Sequence, residues 1–401
     1  MNESAFQKAR PLIQVFIKQQ YEAYIIGGAV RDHLLGRHIS DIDIATSARP
    51  EEVMNLFEKV IPTGIKHGTV LVQYEDESYE VTTFRQESDY EDYRHPNQVQ
   101  YVMDIKEDLA RRDFTFNAIA MDVNFSIIDP FDGTTDIQKQ IIRTVGNANE
   151  RFSEDPLRMM RAIRFNSQLG FSIEKKTMEA IKRNASLLSH ISMERIADEW
   201  KKLLSGKFFS KCIDILFYTG LYNYLPVIAE NRTIQEKIKQ LKEPLPTFSV
   251  MIAYLTISQP EVSVSEWTNS WKLSNMTKRE SIQLMEAINT WKNGEKNWAI
   301  YNLPKDLLNQ FVLLYNLLYK SAVSEKEIYE MKAALPISNR SQLAFKGNHV
   351  LEIFPERTPG NWIKDLLTEV EKSVINGQLK NDRKMISEWV MDERDKEGPT
   401  N

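Results

Sequence analysis

The chain has 401 residues, of which 42% are hydrophobic and 27% charged, with a formal net charge of -5. These proportions exclude a long disordered or fibrous protein, and the length allows two to four packed units. A single cysteine, Cys212, excludes an internal disulfide, and no Cys or His cluster has zinc-ligand spacing.

The N-terminus, MNESAFQKAR, has no apolar core, and no apolar run reaches the roughly eighteen residues of a membrane helix, so a cytoplasmic location without membrane contact is expected. Over roughly the first 145 residues, short β-like runs (AYIIGG, SDIDIAT, GTVLVQY, YEVTTF) alternate with helical segments such as PEEVMNLFEKV, which predicts a mixed α/β unit. From Asn149 the periodicity is helical, in LRMMRAIRFNSQLG, KKTMEAIKRNASLL, MERIADEWKKLL and FSKCIDILFYTGLY, and predicts an all-α array. Pro-containing joints are expected near Glu243 to Pro246 and Leu335 to Asn339, and the polar tail MDERDKEGPTN is expected to fray. Charge is uneven. Glu75 to Asp113 holds twelve acidic and five basic side chains, whereas Arg151 to Lys207 holds twelve basic and seven acidic, making the second stretch the better surface for a polyanion.

Gly27-Gly28-Ala29-Val30-Arg31-Asp32 ends an apolar strand-like run and opens a helical pattern. Side-chain-free residues let a phosphate approach the backbone, and Arg31 adds a permanent positive charge, although a glycine pair closing a strand also reads as a plain tight turn. Ser40-Asp41-Ile42-Asp43-Ile44 follows. On a strand, Asp41 and Asp43 share one face while Ile42 and Ile44 enter the core. Paired carboxylates offer hard oxygen ligands for Mg²⁺ in two-metal phosphoryl transfer; a solvated strand face carrying two acids is the other reading. Alternation in Tyr79 to Arg85 puts Glu80 on a strand face that is expected to abut Asp41, or to be an exposed edge. Arg85 to Val99, RQESDYEDYRHPNQV, is long and polar, and fits a mobile active-site segment better than a packed strand pair.

Further on, Asp155, Arg158, Arg161 and Arg164 recur at steps of three, so neighbours lie on one side of a helix. A carboxylate accepting from an exocyclic amino group while a guanidinium donates to the adjacent ring nitrogen fits cytosine and adenine alike. Uracil and guanine present the opposite order and meet that pair with like against like, at about 1 to 3 kcal/mol for each unpaired group. Asp155-Pro156 also reads as a helix cap followed by proline at the first helical position.

The run GGAVRDHLLGRHISDIDIAT resembles the signature of polymerase-β-type nucleotidyltransferases, in the form seen in class II CCA-adding enzymes and bacterial poly(A) polymerases. Arg111-Arg112-Asp113-Phe114-Thr115 resembles that family's second motif, Asp129-Pro130-Phe131-Asp132-Gly133 its hinge-like stretch, and Glu154-Asp155-Pro156-Leu157-Arg158 its nucleotide-selecting motif. The resemblance covers roughly the first 200 residues in order and spacing, and the helical half more loosely. It implies an α+β chain: a catalytic head with a small mixed sheet over residues 1–143, a helical neck over 144–206 with the nucleotide-selecting helix, a helical body over 207–335, and a tRNA-binding tail over 336–401. It implies catalysis by Asp41 and Asp43, with Mg²⁺ on both, and nucleotide binding by Gly28, Arg31, Arg112, Asp113, Asp155, Arg158, Arg161 and Arg164; Glu80, from its strand alternation, is the secondary candidate for a third catalytic carboxylate. Arg112 would lie near the nucleotide and Asp113 near its ribose hydroxyl, unless Asp113 merely caps the next helix. Glu194-Arg195 would brace the nucleotide helix.

The implied activity is template-independent addition of C, C and A to the tRNA 3′ end from CTP and ATP. The tRNA acceptor arm would be gripped through its phosphates. A poly(A) polymerase or A-adding enzyme with the same active site is the runner-up. Family members adding only CC lack a loop like 85–99, so its presence favours the terminal A. Oligomeric state is not legible, a homodimer being one assembly compatible with the chain.

Overall fold

The structure, a computed structural model, describes residues 2–90, 93, 96–320 and 323–397. The chain divides into two compact units, Met1–Pro244 and Leu245–Asn401.

In the first unit, α1 (Asn2–Lys18) buries Phe6, Ala9, Leu12, Ile13 and Phe16, a helical stripe of apolar residues. Next in chain order are β1 (Ala23–Ile26), α2 (Gly28–Leu34), β2 (Asp43–Thr46), α3 (Pro50–Leu56), β3 (Val60–Gly64), β4 (Thr69–Tyr74) and β5 (Glu77–Thr83). Then come β6 (Arg85–Tyr90), β7 (Pro96–Tyr101), α4 (Ile105–Ala110), β8 (Ala120–Met121), β9 (Ile127–Ile128) and α5 (Gly133–Lys139). The main sheet has the order β3-β4-β5-β2-β1-β8-β9, with β2 parallel to β5 and the other neighbours antiparallel. It is therefore mixed, as expected of an α+β head. Ile26, Ala45, Phe84, Leu109, Ala118 and Ala120 form a buried cluster that joins β1, β2 and α4. At Gly133 a Cβ would stand 2.2 Å from the Thr115 carbonyl oxygen, so glycine alone lets the start of α5 press on that turn.

Two strand expectations are corrected. The segment 85–99 is not a loop: β6 and β7 pair antiparallel, with Arg85 opposite Tyr101 and Glu87 opposite Val99, while residues 91, 92, 94 and 95 lie outside the described residues. Polar composition hid the strands, because a ribbon need not bury an apolar face when ion pairs tie it to its neighbours, here Arg111 Nη1, just after α4, to Glu87 of β6 at 2.9 Å. Asp41 is not on a strand; β2 begins at Asp43, and Asp41 lies in the segment before it.

The rest of this unit is β10 (Ile141–Ile142), α6 (Ala148–Glu154), α7 (Leu157–Leu169), β11 (Ser172–Ile173), α8 (Lys175–Asn184), α9 (Met193–Leu204), α10 (Phe209–Thr219) and α11 (Arg232–Gln240). Helix α7 is packed between α9 and α10 and buries nearly its whole length, including Met159, Met160, Ile163 and Phe165. Gly170, at φ +75, ends it in a left-handed turn.

The second unit is helical among its described residues: α12 (Phe248–Ser258), α13 (Val264–Ser270), α14 (Asn275–Lys292), α15 (Lys296–Asn302), α16 (Leu308–Tyr319), α17 (Glu325–Ala334), α18 (Gly347–Ile353), α19 (Asn361–Ile375) and α20 (Arg383–Glu397). The run FSVMIAYLTIS is apolar on all sides, and α12 is accordingly buried around its circumference. Val350, Val370, Val374, Ile386 and Val390 form a further core cluster. The tail expected to fray is helical through Glu397, residues 398–401 lying outside the described residues. No helix among the described residues is long and apolar enough to cross a membrane.

Candidate active site

A cleft of about 550 Å³ opens in the first unit where the turn after β1, strands β2 and β5, the segment after α4, and α7 meet. Among the described residues eight arginines and four carboxylates line it, an excess of positive charge in a chain of net charge -5. That charge bias suits a polyphosphate.

The floor is set by strand pairing. Asp43 sits between Ile26 of antiparallel β1 and Glu80 of parallel β5. Glu80 thus abuts Asp43 rather than Asp41, correcting the expectation. Lost solvation raises the Asp43 carboxyl above its ordinary range; Arg112 opposes this and Asp41 adds to it. Glu80 is raised by lost solvation and then by Asp43, with Arg85 opposing. Asp41 is exposed, accepts the Ser40 hydroxyl at 3.0 Å and does not line the cleft. Among the described residues no group of three His, Cys, Asp or Glu side chains is arranged to hold a metal ion unaided.

Gly27 precedes α2 with φ 69 and ψ -126, a conformation that side chains strongly disfavour, and a Cβ there would meet Arg112 Nη1 at 2.8 Å. Glycine therefore lets a guanidinium lie over the turn. Gly28 and Arg31 line the cleft; Arg31 grips Asp32 through Nε and Nη2 at 3.0 and 2.8 Å and donates from Nη1 to Asn117 Oδ1 at 2.8 Å.

Asp113 is buried. Its Oδ1 accepts the Phe114 amide and Asn117 Nδ2 at 2.9 and 3.0 Å, and its Oδ2 accepts Arg161 Nε at 2.7 Å. Burial alone would raise this carboxyl, but Arg161 and Asn117 outweigh it and hold the pKa at about 2.

On α7, Arg158, Arg161 and Arg164 all face the cleft, as their spacing predicts. Arg158 donates from Nη1 to Glu154 at 2.9 Å and from Nη2 to the Arg111 carbonyl at 3.0 Å. Arg164 pairs with Glu199 at 2.9 Å and lies 4.0 Å from the Phe165 ring centre; burial and Arg161 bring its pKa down to about 10. Asp155 precedes the helix, with Pro156 at the cap position and not the first helical one. Its Oδ1 accepts the Leu157 amide at 3.2 Å, and its Oδ2 accepts Arg195 Nη2 at 2.9 Å. Asp155 and Arg158 are thus each held by separate partners and both line the cleft.

Local pattern did not mark every cleft residue. Arg195, read as a brace, lines the cleft, as do Arg85 and Arg111. Glu199 and Asp108, both buried, orient the arginines from behind. Only the Arg111-Arg112 doublet and the Glu194-Arg195 pair hinted at them; nothing local distinguishes a buried acid from a surface one.

A family model for the poly A polymerase head domain matches residues 23–143, and one for tRNA nucleotidyltransferase domain 2 matches 245–390. The CCA-adding enzyme of Oceanobacillus iheyensis is 45% identical over 98% of both chains, and that of Enterococcus faecalis 40% identical over 98% of this chain and 97% of its own. The crystal structure of the Bacillus stearothermophilus CCA-adding enzyme in complex with CTP superposes with a TM-score of 0.88 at 37% identity, covering 98% of both chains. On this likeness over its whole length, the chain belongs to the CCA-adding enzymes, a family of nucleotidyltransferases.

Proposed function

We propose that this protein adds C, C and A to the 3′ end of tRNA from CTP and ATP without a nucleic-acid template. The RNA 3′ oxygen bonds to the α-phosphorus, the bond from that phosphorus to the β-phosphate bridge breaks, pyrophosphate departs and the hydroxyl proton goes to solvent. The observation that carries this reading is one cleft holding both a carboxylate floor, Asp43 beside Glu80, and the separately anchored pair Asp155 and Arg158.

Asp43 is raised by lost solvation and by the neighbouring charge of Asp41, and Glu80 by lost solvation and by Asp43, which is the imbalance a divalent cation relieves, so the donor set fits Mg²⁺. Asp43 and Asp41 would hold the ion, with water and phosphate oxygens completing its shell, as Mg²⁺ prefers few protein ligands. When bound, it supplies Lewis-acid polarisation and lowers the pKa of the attacking hydroxyl. Glu80 helps set the negative potential of the floor. Arg31 and Arg112, beside the glycine turn, receive the triphosphate. Asp113 acts chiefly by fixing Arg161, since Asn117 and the Phe114 amide occupy Oδ1 and Arg161 approaches Oδ2 through both Nε and Nη2; a ribose hydroxyl would have to share Oδ2 with Arg161.

Asp155 accepts from the exocyclic amino group of C or A, and Arg158 donates to the neighbouring ring nitrogen. Arg195 and the Arg111 carbonyl hold the two ends in place, so a base with the opposite donor order meets fixed groups that cannot turn to suit it. The helical second unit takes up the acceptor arm, and the reaction belongs in the cytoplasm, where tRNA ends are repaired. A head over 1–143, neck over 144–206, body over 207–335 and tail over 336–401 remain our division of the chain.

The deciding experiment gives the protein Mg²⁺ and a tRNA ending at the discriminator base, with CTP and ATP separately and together. Addition of three nucleotides ending in A supports the reading. Long A tails from ATP alone overturn it in favour of a poly(A) polymerase.

A further inference from the structure

Behind the cleft lies a carboxylate that no expectation singled out. Asp108, on α4, is 1% exposed. Its Oδ1 accepts Arg111 Nε and Nη2 at 2.9 and 2.8 Å, together with the Arg85 amide at 3.3 Å, and its Oδ2 accepts Arg112 Nη2 at 3.4 Å. One buried acid therefore holds two consecutive arginines of the cleft wall. Glu87 on β6 grips the remaining Arg111 nitrogen, Nη1, at 2.9 Å, so the Arg111 guanidinium is clamped from both sides.

The two arginines lead to opposite ends of the cleft. Arg112 lies over the Gly27 turn and acts electrostatically on Asp43. Arg111 presents its backbone carbonyl to Arg158 Nη2 at 3.0 Å. Arg158 Nη1 is held by Glu154 and, at 3.4 Å, by the Arg151 carbonyl, whereas Nη2 donates to the Arg111 carbonyl. Moving the carbonyl would free one end of the guanidinium that faces the base.

A buried ion pair is a poor device for stability alone, because apolar residues of similar volume do as well or better. Its distinctive contribution is direction: with Nε and Nη2 on one Asp108 oxygen and Nη1 on Glu87, the Arg111 guanidinium plane is fixed, and through it the backbone that carries it. We infer that Asp108 is a positioning residue for nucleotide selection, holding Arg111 so that its carbonyl fixes Arg158, and holding Arg112 over the phosphate-side turn. The inference rests on the proposed assignment of base selection to Arg158.

The test is Asp108→Asn, which keeps the shape and removes the charge. The readout is the ratio of CTP to UTP incorporation at the first position of a tRNA ending at the discriminator base, with melting temperature measured alongside. Loss of a fixed arginine donor lowers that ratio about tenfold. A fall of more than about fivefold supports the inference, and a smaller change overturns it, whatever happens to turnover and melting temperature. A purely structural role would slow all four nucleotides by a common factor and leave the ratio alone. Should Asp108→Asn fail to fold, Glu87→Gln, at the outer side of the same clamp, decides by the same ratio. Wild-type protein in parallel separates the two ideas: if it adds no C, the functional reading fails; if it adds C and the variants keep its selectivity, only the role of Asp108 fails.

Discussion

Asp43 on β2 and Glu80 on β5 are direct partners across adjacent parallel strands, so their carboxylates leave the sheet on the same side. Both are raised above the ordinary carboxylate range, and Asp41, two residues upstream, adds to the charge on Asp43. Asp43 and Glu80 stand within a cleft where arginines outnumber carboxylates.

Asp41→Ala and Asp43→Ala are expected to abolish incorporation, lowering the rate on the order of a thousandfold or more, since ion coordination contributes several kcal/mol to the transition state. Neither side chain belongs to the buried core, so urea unfolding midpoints should hardly move. Chelation with EDTA should stop wild-type addition in the same way, with activity restored by excess Mg²⁺. Near-normal turnover in either variant removes the metal assignment.

Gly27→Ala places a Cβ at φ 69 and 2.8 Å from Arg112 Nη1. Strain of about 1 to 3 kcal/mol is expected, together with displacement of Arg112. Steady-state kinetics should show a KM for CTP raised about tenfold, and an unchanged KM would separate Arg112 from triphosphate binding.

Arg195→Ala releases Asp155 Oδ2, while Oδ1 keeps its contact with the Leu157 amide. Discrimination of CTP over UTP should weaken about tenfold, one lost orienting hydrogen bond to a charged group. Competition assays with paired nucleotides measure this directly, and intact selectivity would leave Arg195 as a brace without influence on the base.

Asp113 makes stability depend on acid. Its folded pKa of about 2 lies below the ordinary 3.8, so its stabilising contribution is complete above about pH 4 and is lost as pH falls towards 2. The difference corresponds to about 2 kcal/mol. Asp113→Asn should therefore be less stable than wild type at neutral pH, with a gap in urea unfolding that narrows as the medium is acidified. A gap constant from pH 7 to 3 would show that the Arg161 pair does not carry the effect.

Much of the site was legible because its signals are local. Alternation put Ile44 in the core and Asp43 on the opposite face, and steps of three put Arg158, Arg161 and Arg164 along one side of α7. Where the reading failed, a longer-range fact decided. The hairpin of β6 and β7 escaped because its residues are polar and its pairing depends on what lies across from each strand. Asp41 was placed on a strand because two acids flanking Ile42 look like alternation, whereas hydrogen bonding to β1 and β5 begins only at Asp43.

The amino-acid order by itself determined the inventory: which acids and arginines are present, the glycine turn, and the helix that carries the arginines, because each depends on residues within a turn or a strand of one another. Tertiary structure alone decided the partnerships. Glu80 beside Asp43, Arg195 on Asp155, Arg161 on Asp113 and the Arg111 carbonyl on Arg158 join residues 37 to 48 positions apart. Such contacts arise from how sheet and helices pack, and they settle which charges are free to meet a substrate and which are held in place for it.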